Sequence, residues 1–135
     1  MTDLSDLIER VEKASGPDRD LDTALLELSD ADFVAQLRRG WRDFLPIRET
    51  DVAAIRSEAA YVEAHAPPYT ESLDAAVALC ERVLEGWAWN VGTVHFGRDG
   101  FMAEVYRNSM VIFEARAPTP ALALLLAMLR AKAAA

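Results

Sequence analysis

Between Asp3 and Gly16 the apolar residues Leu4, Leu7, Ile8 and Val11 return once per helical turn, with charged residues between them. That spacing predicts an amphipathic helix over "DLSDLIERVEKASG", with Asp3 as its N-cap and Gly16 then Pro17 as the stop. A second helix is predicted in "DRDLDTALLELS", where Leu21, Leu25 and Leu28 share a face and Asp18, Asp20 and Asp22 crowd the positive N-terminal end. In "SDADFVAQLRRGWRDFLP", Phe33, Leu37 and Trp41 recur at four-residue spacing, Ser29, Asp30 or Asp32 supplies the cap, and Pro46 terminates; Gly40 weakens this helix. "TDVAAIRSEAAYVEAHA" reads as a helix capped by Thr50 that buries Val52, Ile55, Ala59 and Val62 and ends before Pro67 and Pro68.

Beyond the two prolines the period changes. Ser72 caps a helix with Leu73, Ala76, Val77, Cys80 and Leu84 on one face, and Gly86 suits the left-handed residue that reverses the chain. "WAWNVGTVHF" then alternates as a strand with Trp87, Trp89 and Val91 on one side. "GRDG" is a hairpin turn into "FMAEVYR", and Asn108-Ser109 is a turn into "MVIFEAR". Thr119 caps a last helix with Pro120 at its first position and Leu122, Leu125, Leu126 and Leu129 on one face.

The expected fold is a single mixed α+β domain: a helical part over residues 1–66 and an α-β-β-β-α unit over 69–135, with a three-stranded antiparallel sheet. Phe101, Ala103, Val105, Val111, Phe113 and Ala115 can form one sheet face, while Met102, Tyr106, Met110 and Ile112 make the other largely apolar too. Two apolar faces both require cover, so the earlier helices are expected on the second face, giving a helix/sheet/helix sandwich. The last helix is apolar nearly all round, since Leu124 and Met128 lie off its stripe. Burial on several sides and contact with a second chain fit it equally well.

At 135 residues the chain is long enough to bury one core. Its net charge of -8 is uneven: residues 1–35 carry 10 acids and 3 bases, and residues 98–135 carry 3 acids and 5 bases. An acidic front removes the usual electrostatic footprint of a nucleic-acid binder. The lone Cys80 forms no intrachain disulfide, the acidic start is unlike a signal peptide, and no apolar run is long enough for a membrane span; a cytoplasmic protein is expected.

Few residues suggest chemistry. "DRDLD" at Asp18 to Asp22 alternates carboxylates like the start of a calcium loop, but Thr23 stands where the loop glycine belongs and Ser29 where the closing glutamate belongs. His65 and His95 lack a metal-ligand partner at three or four residues' spacing, and Cys80 lies on a buried stripe as an inert apolar group. No nucleophile elbow or phosphate loop is present, so the expectation is a protein that is not an enzyme and uses no cofactor or metal.

"LIERVEKASGPDRDLD" at Leu7 to Asp22, "YTESLDAA" at Tyr69 to Ala76, "EGWAW" at Glu85 to Trp89 and "APTPALALLLAMLRA" at Ala117 to Ala131 together resemble the phage ABA sandwich domain family, small proteins of phages and prophages. The resemblance implies a sheet with helices on both faces and carries no catalytic residues. Here Ala24 to Pro68 holds two additional helical patterns, and Leu84 replaces a proline common before the Glu-Gly-Trp piece. The helix-strands-helix order also resembles the double-stranded RNA-binding domain, without the lysine cluster at the start of its last helix.

The function expected from these features is that of a phage or prophage accessory protein acting through a protein partner or self-association. Alternatives are a nucleic-acid-binding module, or an acidic inhibitor of a host DNA-binding protein. The residues singled out for partner contact are Trp89, Tyr106, Arg107, Arg116, Leu124 and Met128.

Overall fold

Thr119 opens the helix around which the rest of the chain is arranged. Its Oγ1 accepts from the backbone N–H of Leu122 at 3.2 Å, Pro120 occupies the first turn where a missing N–H costs nothing, and the helix runs Pro120–Ala134. A computed structural model of the chain describes residues 3–44, 58–94, 99–108 and 111–134. In it every residue from Ala121 to Leu129, and Ala131, is buried. A helix without a polar face needs neighbours all round it.

Six helices and three strands are described: α1 (Leu4–Lys13), α2 (Arg19–Ser29), α3 (Ala31–Phe44), α4 (Glu58–His65), α5 (Leu73–Val83), β1 (Ala88–Thr93), β2 (Phe101–Arg107), β3 (Val111–Ala117) and α6 (Pro120–Ala134). The fold is mixed α+β, with α-β-β-β-α order in its C-terminal half. The strands form one antiparallel sheet in the order β1-β2-β3. Its register sets Trp89 beside Val105 and Val105 beside Phe113, and sets Val91, Ala103 and Ala115 in the next row on the same face. Ala103 and Ala115 are small and buried, so α6 approaches the sheet closely and contacts all three strands.

The other side of α6 is covered by α1 and α5. Leu7 and Val11 of α1, and Ala76, Leu79 and Cys80 of α5, are buried in the same core. Among the described residues, α6 lies against the sheet, and α1 and α5 lie against α6. The expected mixed α+β fold, a three-stranded antiparallel sheet packed against helices, is the one observed. Each fully buried leucine of α6 contributes about 1.5–3 kcal/mol, so covering the all-apolar helix outweighs covering a sheet face that is partly polar.

The caps follow the sequence closely. Asp3 accepts from Ser5 N–H, Asp18 from Leu21 N–H, Asp30 from Phe33 N–H and Ser72 from Ala75 N–H. Asp30 also binds Arg82 at 2.6 Å, and the Phe33 N–H and Arg82 together hold its carboxyl below the usual range. Gly86 (φ 85) is left-handed, as expected of the chain reversal, and Trp87 N–H donates to Leu84 O across it. Asn108 (φ 56) turns the chain between β2 and β3.

Some boundaries and faces differ. The first strand is Ala88–Thr93, shorter than the stretch Trp87 to Phe96 that alternates. In α3, Val34 and Leu37 are buried while Phe33 is exposed, so the inward face is rotated from the one its aromatic spacing suggests. In α2, Leu26 and Asp22 are buried along with Leu21 and Leu25. Thr50, Val52 and Ile55, the terminator Pro46, His95, Gly97, Arg98, Ser109 and Met110 lie outside the described residues, as does the side chain of Ala59.

Candidate sheet-face interface

Alternation puts even-numbered residues of the sheet on the face turned away from α6. The register arranges them in three rows: Ala88, Tyr106 and Ile112; Asn90, Glu104 and Glu114; Gly92, Met102 and Arg116. Ala88, Asn90, Gly92, Ile112, Glu114 and Arg116 are exposed, and Met102, Glu104 and Tyr106 on the central strand are half-buried. Ile112 stands 58% exposed. A solvated β-branched residue fits a strand but gains nothing from burial there.

The middle row is polar. Glu104 and Glu114 are direct cross-strand partners, an arrangement in which like charges oppose each other. Asn90 Nδ2 lies 3.5 Å from Glu104 Oε2, and neither glutamate forms an ion pair among the described residues. The apolar residues Met102, Tyr106 and Ile112 are thus split by a carboxylate stripe, which explains how this face remains in water.

The residues expected to meet a partner divide into two groups. Tyr106 and Arg116 lie on the outer face, and Arg107 is exposed at the end of β2. Trp89 is half-buried on the inner face, packed against the core, so it cannot join Tyr106 in a stacking platform. Leu124 and Met128 are fully buried within this one chain. Their side of α6 is occupied by the protein's own elements.

His65 and Cys80 are accounted for by local structure. His65 stacks on Tyr61, with ring centroids 4.5 Å apart, and its Nδ1 lies 2.8 Å from Tyr61 O. Cys80 is buried, and burial pushes its thiol up to about 11. Among the described residues there is no group of three or more His, Cys, Asp and Glu side chains that could hold a metal ion. No described helix is long and apolar enough to cross a membrane.

The alternating acids of "DRDLD" are put to structural use. Asp18 caps α2, while Asp22 is buried and accepts from Thr70 N–H and Thr70 Oγ1, both at 2.8 Å, and from Arg19 Nη1 at 2.9 Å. Arg19 Nη2 in turn donates to Glu63 O and Ala66 O. Sequence reasoning placed Asp22 at a helix start but missed its burial, because its partner Thr70 lies 48 positions away. A second concavity lies between the start of α1 and the α2-α3 junction, lined by Leu4, Leu28, Ala31 and Val34 with the Arg38–Glu27 ion pair (2.6 Å) beside them. Its walls are mostly apolar, and Asp3 adds a negative charge beside the Arg38–Glu27 pair.

Comparison with known protein families, with curated proteins and with solved structures gives no match.

Proposed function

We propose that this protein is a non-catalytic binding module whose working surface is the outer face of its sheet, and that its partner is another protein. The observation that carries this reading is the row in which Ile112, the more exposed of the two exposed large apolar residues among those described, stands beside the half-buried Tyr106. The polar row beside it favours protein over nucleic acid. Tyr106 and Arg116 have the chemistry of a base-stacking platform, but Glu104 and Glu114 stand between them and would repel the phosphates. The resemblance to small phage proteins supports an accessory role in a phage or prophage setting, in the cytoplasm of its host.

Selection of a random peptide library on the immobilised protein tests the reading. Peptides recovered should compete for one site and lose binding to the Ile112→Asp variant while still binding a Leu28→Asp variant altered in the α1–α3 concavity. Binders indifferent to Ile112→Asp would contradict it.

A further inference from the structure

The outer sheet face has the width of one helix. Three strands about 4.8 Å apart set the outer two roughly 10 Å from each other, and an α-helix with its side chains is about 10–12 Å across. The inner face demonstrates this fit, because the single helix α6 contacts all three strands. The outer face offers the same footprint with a different pattern: an apolar row of Ala88, Tyr106 and Ile112, then the row of Asn90, Glu104 and Glu114. Rows on one face are about 6.8 Å apart along a strand, close to the rise of about 5.4 Å over one helical turn. An apolar side chain over Ile112 and a cationic one a turn away reach both rows together.

A second copy of this chain does not fit the same surface. A two-fold axis centred on the face sets Glu104 over its own copy whether the axis runs along or across the strands, and burying like carboxylates together is strongly unfavourable. Pairing through the β3 edge is opposed by Arg130, whose Nη1 already donates to Glu114 O at 3.0 Å. The opposed pair Glu104 and Glu114 gains instead from a positive charge placed between them.

We infer that the outer sheet face docks one amphipathic helix of a partner protein, with apolar residues on Tyr106 and Ile112 and Lys or Arg one turn away on Glu104 and Glu114. This rests on the reading that the outer face is the working surface, and adds the partner's shape and charge to it. Docking would complete a helix/sheet/helix arrangement, with the outer helix supplied by another chain.

The test uses the full-length, isotope-labelled protein and three helical peptides about four turns long. They share one leucine face and differ only in carrying Lys, Gln or Glu on the flanks. The expected result is that the Lys peptide shifts amide signals of β2 and β3, including Glu104, Tyr106, Ile112 and Glu114, and the Glu peptide does not. A Glu104→Gln/Glu114→Gln variant with an otherwise unchanged spectrum should bind the Lys peptide about tenfold or more weakly. Equal binding of the Gln peptide at the same face would overturn the charge rule while leaving the face as the working surface. A footprint of the Lys peptide on the acidic α1 and α2, or binding unaffected by the double variant, would overturn the inference as non-specific attraction. Silence of the face towards all three peptides, or concentration-dependent self-association through it, would overturn both the inference and the reading beneath it.

Discussion

Thr70 donates its hydroxyl to Asp22 Oδ1 at 2.8 Å, and its backbone N–H donates to the same oxygen at 2.8 Å. Thr70 Oγ1 also accepts from the N–H of Asp18 at 2.8 Å. One buried carboxylate thereby ties the start of α2 to the turn that follows α4, while Arg19 extends the link to the carbonyls of Glu63 and Ala66. Both carboxylate oxygens of Asp22 have hydrogen-bond partners, which is the condition for burying the group at all.

Removing the acceptor should therefore be costly. Asp22→Ala leaves the buried Thr70 N–H without its acceptor and removes one partner from the Thr70 hydroxyl and from Arg19, and is expected to lower stability by about 2–4 kcal/mol. Thr70→Val spares the Arg19 contact and should cost about 1–3 kcal/mol. Urea unfolding of the two variants checks both the sizes and their order.

Two glycines of positive φ separate backbone strain from steric clash. A Cβ on Gly86 (φ 85) meets nothing within 4 Å, so Gly86→Ala should cost only the left-handed conformation, about 1–2 kcal/mol. At Gly100 (φ 83) the same atom would stand 2.6 Å from Ala117 O, a backbone atom held in the sheet. Gly100→Ala should be the more destabilising of the pair by at least about 1 kcal/mol, read as the difference in unfolding midpoint at equal slope.

Gly40 presents the opposite case. It lies inside α3, and an added Cβ would rest 3.8 Å from the Tyr61 hydroxyl, an ordinary contact. Gly40→Ala should raise stability by about 0.5–1 kcal/mol, measured by thermal unfolding.

The pH dependence at the alkaline end follows from burial in the core. Cys80 rises from an ordinary 9.0 to about 11 because the folded protein desolvates it. The unfolded chain releases this proton first, so the contribution is intact below about pH 9 and is lost as pH rises towards 11. One unit corresponds to about 1.4 kcal/mol, and the loss should reach about 2–3 kcal/mol. Tyr69, whose phenol is also raised chiefly by burial, adds in the same direction at higher pH. Stability measured between pH 8 and 11 should fall less steeply in Cys80→Ala than in the unaltered protein.

Local signals in the chain were read well because they are set by neighbours a turn away. The caps Asp3, Ser72 and Thr119, Asp30 as one of three candidates for α3, the left-handed Gly86 and the alternation within Phe101–Arg107 and Val111–Ala117 each depend on a few adjacent residues. The polar content of the outer sheet face was not legible in that way. Tyr106 and Ile112 gave the second sheet face an apolar reading, but Asn90, Glu104 and Glu114 occupy its middle row, and this appears only once the register brings three strands together. The all-round apolarity of α6 was the stronger demand for cover, and it drew α1 and α5 to its free side. Of the residues chosen for contact, Tyr106 and Arg116 share the outer face and Arg107 is exposed nearby. Trp89, Leu124 and Met128 went to the core, because amphipathic pattern alone does not say which side of an apolar element meets the protein's own chain.

The openness of the outer sheet face is tested most directly by methyl-resolved NMR of the dilute protein with a soluble paramagnetic agent. Ile112, at 58% exposure, should be strongly broadened, while Val105 on the inner face of the neighbouring strand and Leu124 in α6 should be spared. Protection of Ile112 to the same degree as Val105 would mean that the face is already covered, and would contradict the account.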